Sequence, residues 1–199
     1  MPFGRILIEK SLERHLATLI VDHPEKRNSM TVEMRRKIGQ ALRDFSKDRQ
    51  LRVIVVKGAG DKAFSSGGDL AEFLKLAPHE LESWGDEMTE LERCPKPVIA
   101  AIDGFCLGAG LELALGCDMR IATQGSKFGL PEVSLGMIPG SGGSQRIMRL
   151  IGMTRTKFAP LSVALELERK TYAWLRSTHD YAEGVNAFLE KRKPRFKGE

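Results

Sequence analysis

The chain predicts an α/β protein, and three observations carry that expectation. Paired short runs of β-branched and apolar residues are each followed by a stretch with helical spacing. The run Val53-Ile54-Val55-Val56 has the character of a strand buried on both faces. Glycines at 58, 60, 67, 68, 104, 108 and 110 punctuate the segments. A strand-strand-helix unit therefore recurs along the sequence.

Taken in order, residues 6–9 and 15–21 read as a hairpin connected through Ser11-Leu12-Glu13-Arg14, with turn residues at 22–28. Thr31 is placed to cap a helix in which Met34, Ile38, Ala41, Leu42 and Phe45 share one face. A strand at 52–57 follows. Residues 70–93 are helical in pattern with a break at Pro78, and Pro95 and Pro97 end that stretch before a strand at 98–102. Gly104, Gly108 and Gly110 then mark a short strand and a helix start. Strands at 119–123 and 127–129 precede a glycine-rich turn at 136–143 and a helix ending near Gly152. The stretch 161–193 reads as helical throughout, with apolar positions at Leu165, Tyr172, Leu175, Val185, Phe188 and Leu189.

A chain of 199 residues with 42% hydrophobic content can bury a sizeable core. Its longest apolar stretch, 98–107, is interrupted by Asp103 and is too short to cross a bilayer. The opening Met-Pro-Phe-Gly-Arg has no apolar run of the secretory kind, so a cytoplasmic protein is expected. Cys94, Cys106 and Cys117 form no CxxC pair and have no histidine at ligand spacing, which argues against a disulfide framework or a metal site. Much of the net charge of +5 sits on Lys191, Arg192, Lys193, Arg195 and Lys197. Such an end reads as solvated surface as readily as a phosphate contact. Elsewhere acids and bases are mixed and no RNP-like or zinc-knuckle motif occurs, which argues against a nucleic-acid partner. None of His15, His23, His79 and His179 has a triad-like context, and Asp69 and Asp118, beside glycine turns, read as acceptors for loop amides.

Four blocks stand out in order along the chain: Pro24-Glu25-Lys26-Arg27-Asn28-Ser29-Met30; Lys62 through Phe64-Ser65-Ser66-Gly67-Gly68-Asp69-Leu70; Lys96-Pro97-Val98 through Asp103-Gly104 and on to Gly108-Ala109-Gly110-Leu111-Glu112; and Phe128-Gly129-Leu130-Pro131-Glu132 through Gly136, followed by Pro139 to Arg146. Together they resemble the crotonase (enoyl-CoA hydratase/isomerase) family, and a fifth block, Phe188-Leu189-Glu190-Lys191-Arg192-Lys193-Pro194, resembles that family's C-terminal signature. The resemblance implies a spiral of strand-strand-helix turns over residues 1–157 and a helical oligomerisation region over 158–199, assembled as a homotrimer or a dimer of trimers. It also implies an acyl-CoA substrate, with coenzyme A part of that substrate and no separate cofactor or metal.

At residue level, the match makes the backbone amides of Gly68 and Ala109 an oxyanion pair, the arrangement that stabilises an enolate formed from a thioester. Read alone, those glycine-flanked positions would make tight turns. Glu112 and Glu132, read alone, are favourable charges in first helical turns, Glu132 after a proline at N1. The resemblance makes them the acid/base pair, with Glu132 transferring protons and Glu112 holding and polarising water. Retention of both favours hydration over the other reactions of the scaffold. By the same match Lys26, Arg27 and Ser29 contact the nucleotide end of CoA, while Tyr172, Phe188 and Lys191 reach the CoA of a neighbouring subunit.

The sequence also departs from the pattern. After Ile151-Gly152-Met153-Thr154-Arg155-Thr156-Lys157 the family's Thr-Gly-Arg turn, Ala-rich helix and Gly-Leu-Val strand are missing, and residues from Phe158 on resemble later helices. The chain is short of the usual length by roughly sixty residues, more than loop variation provides. Such a loss exposes apolar surface unless another chain covers it. Two functions follow as expectations: an enoyl-CoA hydratase, or a catalytically silent acyl-CoA-binding scaffold of the same fold.

Overall fold

The structure, a computed structural model, describes residues 4–76, 84–151 and 161–198. The hairpin forms as expected: β1 (Arg5–Ser11) pairs antiparallel with β2 (Leu16–Asp22), Ile8 opposite Leu19. Thr31 Oγ1 accepts from the amide of Met34 at 3.2 Å and starts α1 (Val32–Lys47). The apolar stripe of α1 places Met34, Ile38, Leu42 and Phe45 in the core. Removing a ring such as that of Phe45, 2% exposed, costs about 3–5 kcal/mol.

From here successive strands alternate between two sheets. β3 (Val53–Gly58), β5 (Val98–Ile102) and β7 (Met119–Ala122) extend the hairpin into a five-stranded sheet ordered β1-β2-β3-β5-β7, parallel after the hairpin. β4 (Ala63–Ser65), β6 (Phe105–Leu107) and β8 (Lys127–Gly129) form a second sheet, all parallel, ordered β4-β6-β8. Short connections at glycine explain the alternation, since Gly104, at φ +70°, turns the chain from the first sheet into the second. Helices α2 (Leu70–Phe73), α3 (Trp84–Arg93), α4 (Ala109–Gly116) and α5 (Gly143–Ile151) follow each strand pair. The strand-strand-helix repeat read from the sequence is thus the architecture.

The C-terminal stretch that reads as helical throughout is built of two helices. α6 (Leu161–Leu175) ends and Thr178 caps α7 (His179–Leu189) through Oγ1, which accepts from the amide of Tyr181 at 3.2 Å. The hydroxyl that competes with helical bonding at 178 had the capacity to start a new helix and does so. Pro78 and the Lys157-Phe158 junction lie outside the described residues.

One apolar cluster lies between the five-stranded sheet and α1, α3 and α4. A smaller one joins Val32 and Phe73 to Leu135, Tyr172, Tyr181 and Val185, so α6 and α7 pack back on the strand-rich part. Cys106 and Cys117 are buried free thiols, and the apolar surroundings push both pKa values up to about 12. Among the described residues no helix is long and apolar enough to cross a membrane.

Candidate active site

The three strands of the small sheet run parallel, and each delivers one part of a cavity beyond its C-terminal end, where open α/β sheets place ligand sites. β4 leads into Gly67-Gly68, β6 into Gly108-Ala109 and Glu112, and β8 into the 3₁₀ turn Pro131–Leu135 that carries Glu132. Gly68, Ala109, Glu112 and Glu132 all line one cavity of about 250 Å³.

The glycine turns are fixed from several sides. Gly67 O accepts from Met30 N at 2.8 Å and Met30 O accepts from Asp69 N at 3.0 Å. These two bonds straddle Gly68 and leave its own amide out of the ladder. The amide of Ala109, the first residue of α4, has no carbonyl four residues back within its helix. A methyl group on Gly68 would lie 2.0 Å from Cζ of Phe73, so the position admits only glycine while that ring stays in place. Asp69 Oδ1 caps α2, and Asp118 Oδ2 accepts from Val98 N at 2.8 Å, so both acids serve loop amides as the sequence suggested.

Glu112 and Glu132 differ in how their charge is held. Glu112, 2% exposed, sits in the first turn of α4, and its Oε1 accepts from the amides of Ser141 at 2.7 Å and Gly143 at 2.9 Å. The 136–143 turn read from glycine content is therefore a carboxylate clamp. Glu132, 8% exposed, has an Oε2 that is buried and without a hydrogen-bond partner. Burial, and then the nearby Glu112 carboxylate, push Glu132 up to about 7, with Glu168 adding to the rise and Arg35 opposing it. The two carboxyls thus sit in different environments, one clamped by two backbone amides and the other buried with an oxygen that has no hydrogen-bond partner.

The remaining sequence candidates are placed unevenly. Arg27 lines the cavity and stacks over Phe105 at 5.6 Å. Lys26 points to Asp69, Nζ to Oδ2 2.7 Å. Ser29 is buried behind the site with its carbonyl 3.1 Å from Nδ1 of His23, and neither Lys26 nor Ser29 is part of the cavity lining. Tyr172 and Phe188 line the cavity of their own chain, which α6 and α7 reach by packing back on the Pro131–Leu135 turn. Lys191 lies just past α7 at φ +54°, exposed. Burial raises the Tyr172 hydroxyl above its ordinary range.

Sequence reasoning missed Arg35, Arg146 and Glu168. Arg35 lines the cavity at 2% exposure, and Arg146 donates from Nη1 to Ser141 O at 2.5 Å while its Nε meets Glu92 at 2.7 Å. Glu168, 4% exposed, accepts from Gly142 N at 2.5 Å. A signal for it existed: positions 165, 168 and 172 fall on one helical face, so a charge sits on the apolar stripe of α6. Among the described residues no cluster of histidine, cysteine and acidic side chains could hold a metal ion.

The fold is similar to that of solved hydratases. Carnitinyl-CoA hydratase from Mycobacterium avium superposes over 100% of both chains with a TM-score of 0.80 at 28% identity, which makes the architecture the crotonase fold. Residues 12–162 match the family model described as enoyl-CoA hydratase/isomerase, and the chain belongs to that family. Crotonyl-CoA hydratase of Syntrophomonas wolfei is 39% identical over 156 residues, covering 76% of this chain and 59% of that protein. YngF of Bacillus subtilis, named for enoyl-CoA hydratase/isomerase, is 32% identical over 247 positions, covering 92% of this chain and 95% of its own length. An alignment of 247 positions against a chain of 199 residues contains a long gap on this side, in accord with the shortening seen in the sequence.

Proposed function

We propose that the protein is an enoyl-CoA hydratase, adding water reversibly across the double bond of a 2-enoyl-CoA thioester. The observation that carries this reading is the convergence of Glu112, Glu132 and the unspent amides of Gly68 and Ala109 on one cavity. In the hydration direction the thioester oxygen sits against the two amides, which stabilise the enolate as charge develops there. Glu112, held in its amide clamp, holds water through its second oxygen and takes a proton from it. The oxygen of that water bonds to the β-carbon as the C=C π pair moves toward the carbonyl. Glu132, with its pKa raised to about 7, delivers the proton of its acid form to the α-carbon. No cofactor enters beyond the CoA carried by the substrate, and the setting is cytoplasmic.

A second reading rests on the length difference, which removes residues that the relatives have: a silent acyl-CoA binder of the same fold. Loss of the conjugated-thioester absorbance of crotonyl-CoA in the presence of the protein separates the two. Turnover abolished by Glu132→Gln supports the hydratase. Absence of turnover in a protein that binds acetyl-CoA by calorimetry supports the binder.

A further inference from the structure

The turn that clamps Glu112 is itself held by a carboxylate from the other side. Consecutive amides at 141, 142 and 143 point alternately: Ser141 N and Gly143 N donate to Glu112 Oε1 at 2.7 and 2.9 Å, while Gly142 N donates to Glu168 Oε1 at 2.5 Å. The alternation needs Gly142 at φ +94°, in the left-handed region. Ser144 Oγ donates to the second oxygen of Glu168, so both of its oxygens are committed to this segment. Across the turn Arg146 binds the Ser141 carbonyl, which fixes from its other end the 141–142 peptide whose amide, Gly142 N, donates to Glu168.

We propose that Glu168 is a positioning residue for the Glu112 carboxylate, acting through the 141–143 turn, so that α6 sets the geometry of a site whose reacting groups all lie earlier in the chain. Among the described residues of α6, Glu168 supplies acceptors to the middle amide and the Ser144 hydroxyl at once. Without them Gly142 N would be a buried donor with no acceptor, and rotation of that peptide to find another would swing the two flanking amides away from Glu112. Glu168 also lies near Glu112, Glu132 and Arg146, the charged groups facing it from α4, the Pro131–Leu135 turn and α5. Its negative charge helps keep Glu132 protonated.

This inference rests on the hydratase reading for its kinetic arm and is independent of it for its structural arm. The test compares wild type with Glu168→Gln and Glu168→Asp at full chain length, by crotonyl-CoA kinetics across pH, and by amide resonances of residues 141–143. Gln keeps the shape and one acceptor, so the expected outcome is a folded protein with kcat lowered on the order of 10- to 100-fold and KM within about threefold. The alkaline limb of the kcat/KM profile moves to lower pH because Glu132 loses a negative neighbour, and Asp restores the position of that limb in part. Amide protons of Ser141 and Gly143 shift together with that of Gly142, showing that Glu112 has lost its clamp. A Glu168→Gln protein in which only the Gly142 resonance moves overturns the proposal, whether or not the wild type turns over. So does an unchanged pH limb with kcat and KM altered in parallel, which would mark a role in folding alone. If wild type does not hydrate crotonyl-CoA, the hydratase reading fails while the resonances still decide the fate of the positioning role.

Discussion

Oε1 of Glu132 lies directly over Gly108: a methyl group built on that glycine would sit 3.1 Å from the carboxylate oxygen. Gly108 is also at φ +51°, ψ −128°, a conformation that side chains avoid. Gly108→Ala is therefore expected to lower stability by about 1–3 kcal/mol and to displace Glu132. Thermal unfolding reads the first effect and crotonyl-CoA turnover the second. A variant with unchanged turnover would mean that Glu132 does not act from this position.

Replacing Glu132 with Gln separates proton transfer from shape. The expected loss in kcat is on the order of 10²- to 10⁴-fold, with CoA-thioester binding little changed. Stability should move the other way. The folded pKa is about 7, above the ordinary value of 4.5, so burial disfavours the charged form. Stability linked to this group is complete below the unfolded pKa and is lost as pH rises toward about 7. Glu132→Gln should hence be more stable than wild type at pH 8, by up to about 3 kcal/mol, and level with it at pH 4. Denaturant titrations at the two pH values check the sign.

Turnover should carry the same titration. Hydration consumes no net proton, so forward and reverse reactions share one singly protonated state of the Glu112–Glu132 pair. Profiles of kcat/KM for hydration and dehydration should both fall above pH about 7, where Glu132 loses its proton. A limb that differs between the two directions would break the assignment.

The contact between Gly68 and Phe73 predicts a compensating pair. Gly68→Ala brings its methyl group to 2.0 Å from the ring, so the single variant should unfold more easily and bind CoA thioesters weakly. Adding Phe73→Leu opens the space and should recover about 1 kcal/mol or more, a non-additivity that a double-mutant cycle measures.

Exposed apolar side chains remain around a surface pocket between the Pro131–Leu135 turn and α6, among them Val133 (73%) and Trp174 (66%). We expect a second and third copy of the chain to cover them, giving a trimer in sedimentation at micromolar concentration. A stable monomer would dismiss that expectation and leave Tyr172 and Phe188 serving only the cavity of their own chain.

The strands, the Thr31 cap and the clustering of Gly68, Ala109, Glu112 and Glu132 were legible in the sequence because each rests on a local rule: periodicity, a capping hydroxyl, a glycine turn, or a motif matched position by position. The break at Thr178 was not, since the apolar spacing on either side continues and only the competition of one hydroxyl with the backbone decides it. The clamp on Glu112 escaped for a related reason. Its donors are backbone amides of Ser141 and Gly143, and a sequence does not write which way an amide points. The partner of Lys26 was hidden because Asp69 is forty-three residues away, and the pair forms only once the Arg27 and Gly68 turns have met.

α7 rests on the turn that carries Glu132 with almost no side chain between them. A methyl group on Gly184 would lie 2.6 Å from the Leu135 carbonyl carbon, and one on Gly136 would lie 2.8 Å from the Asp180 carbonyl oxygen. Two backbones in such contact cannot slide independently. Phe188, at the far end of α7, borders the cavity, so any displacement of α7 would carry the Pro131–Leu135 turn and the Glu132 side chain with it.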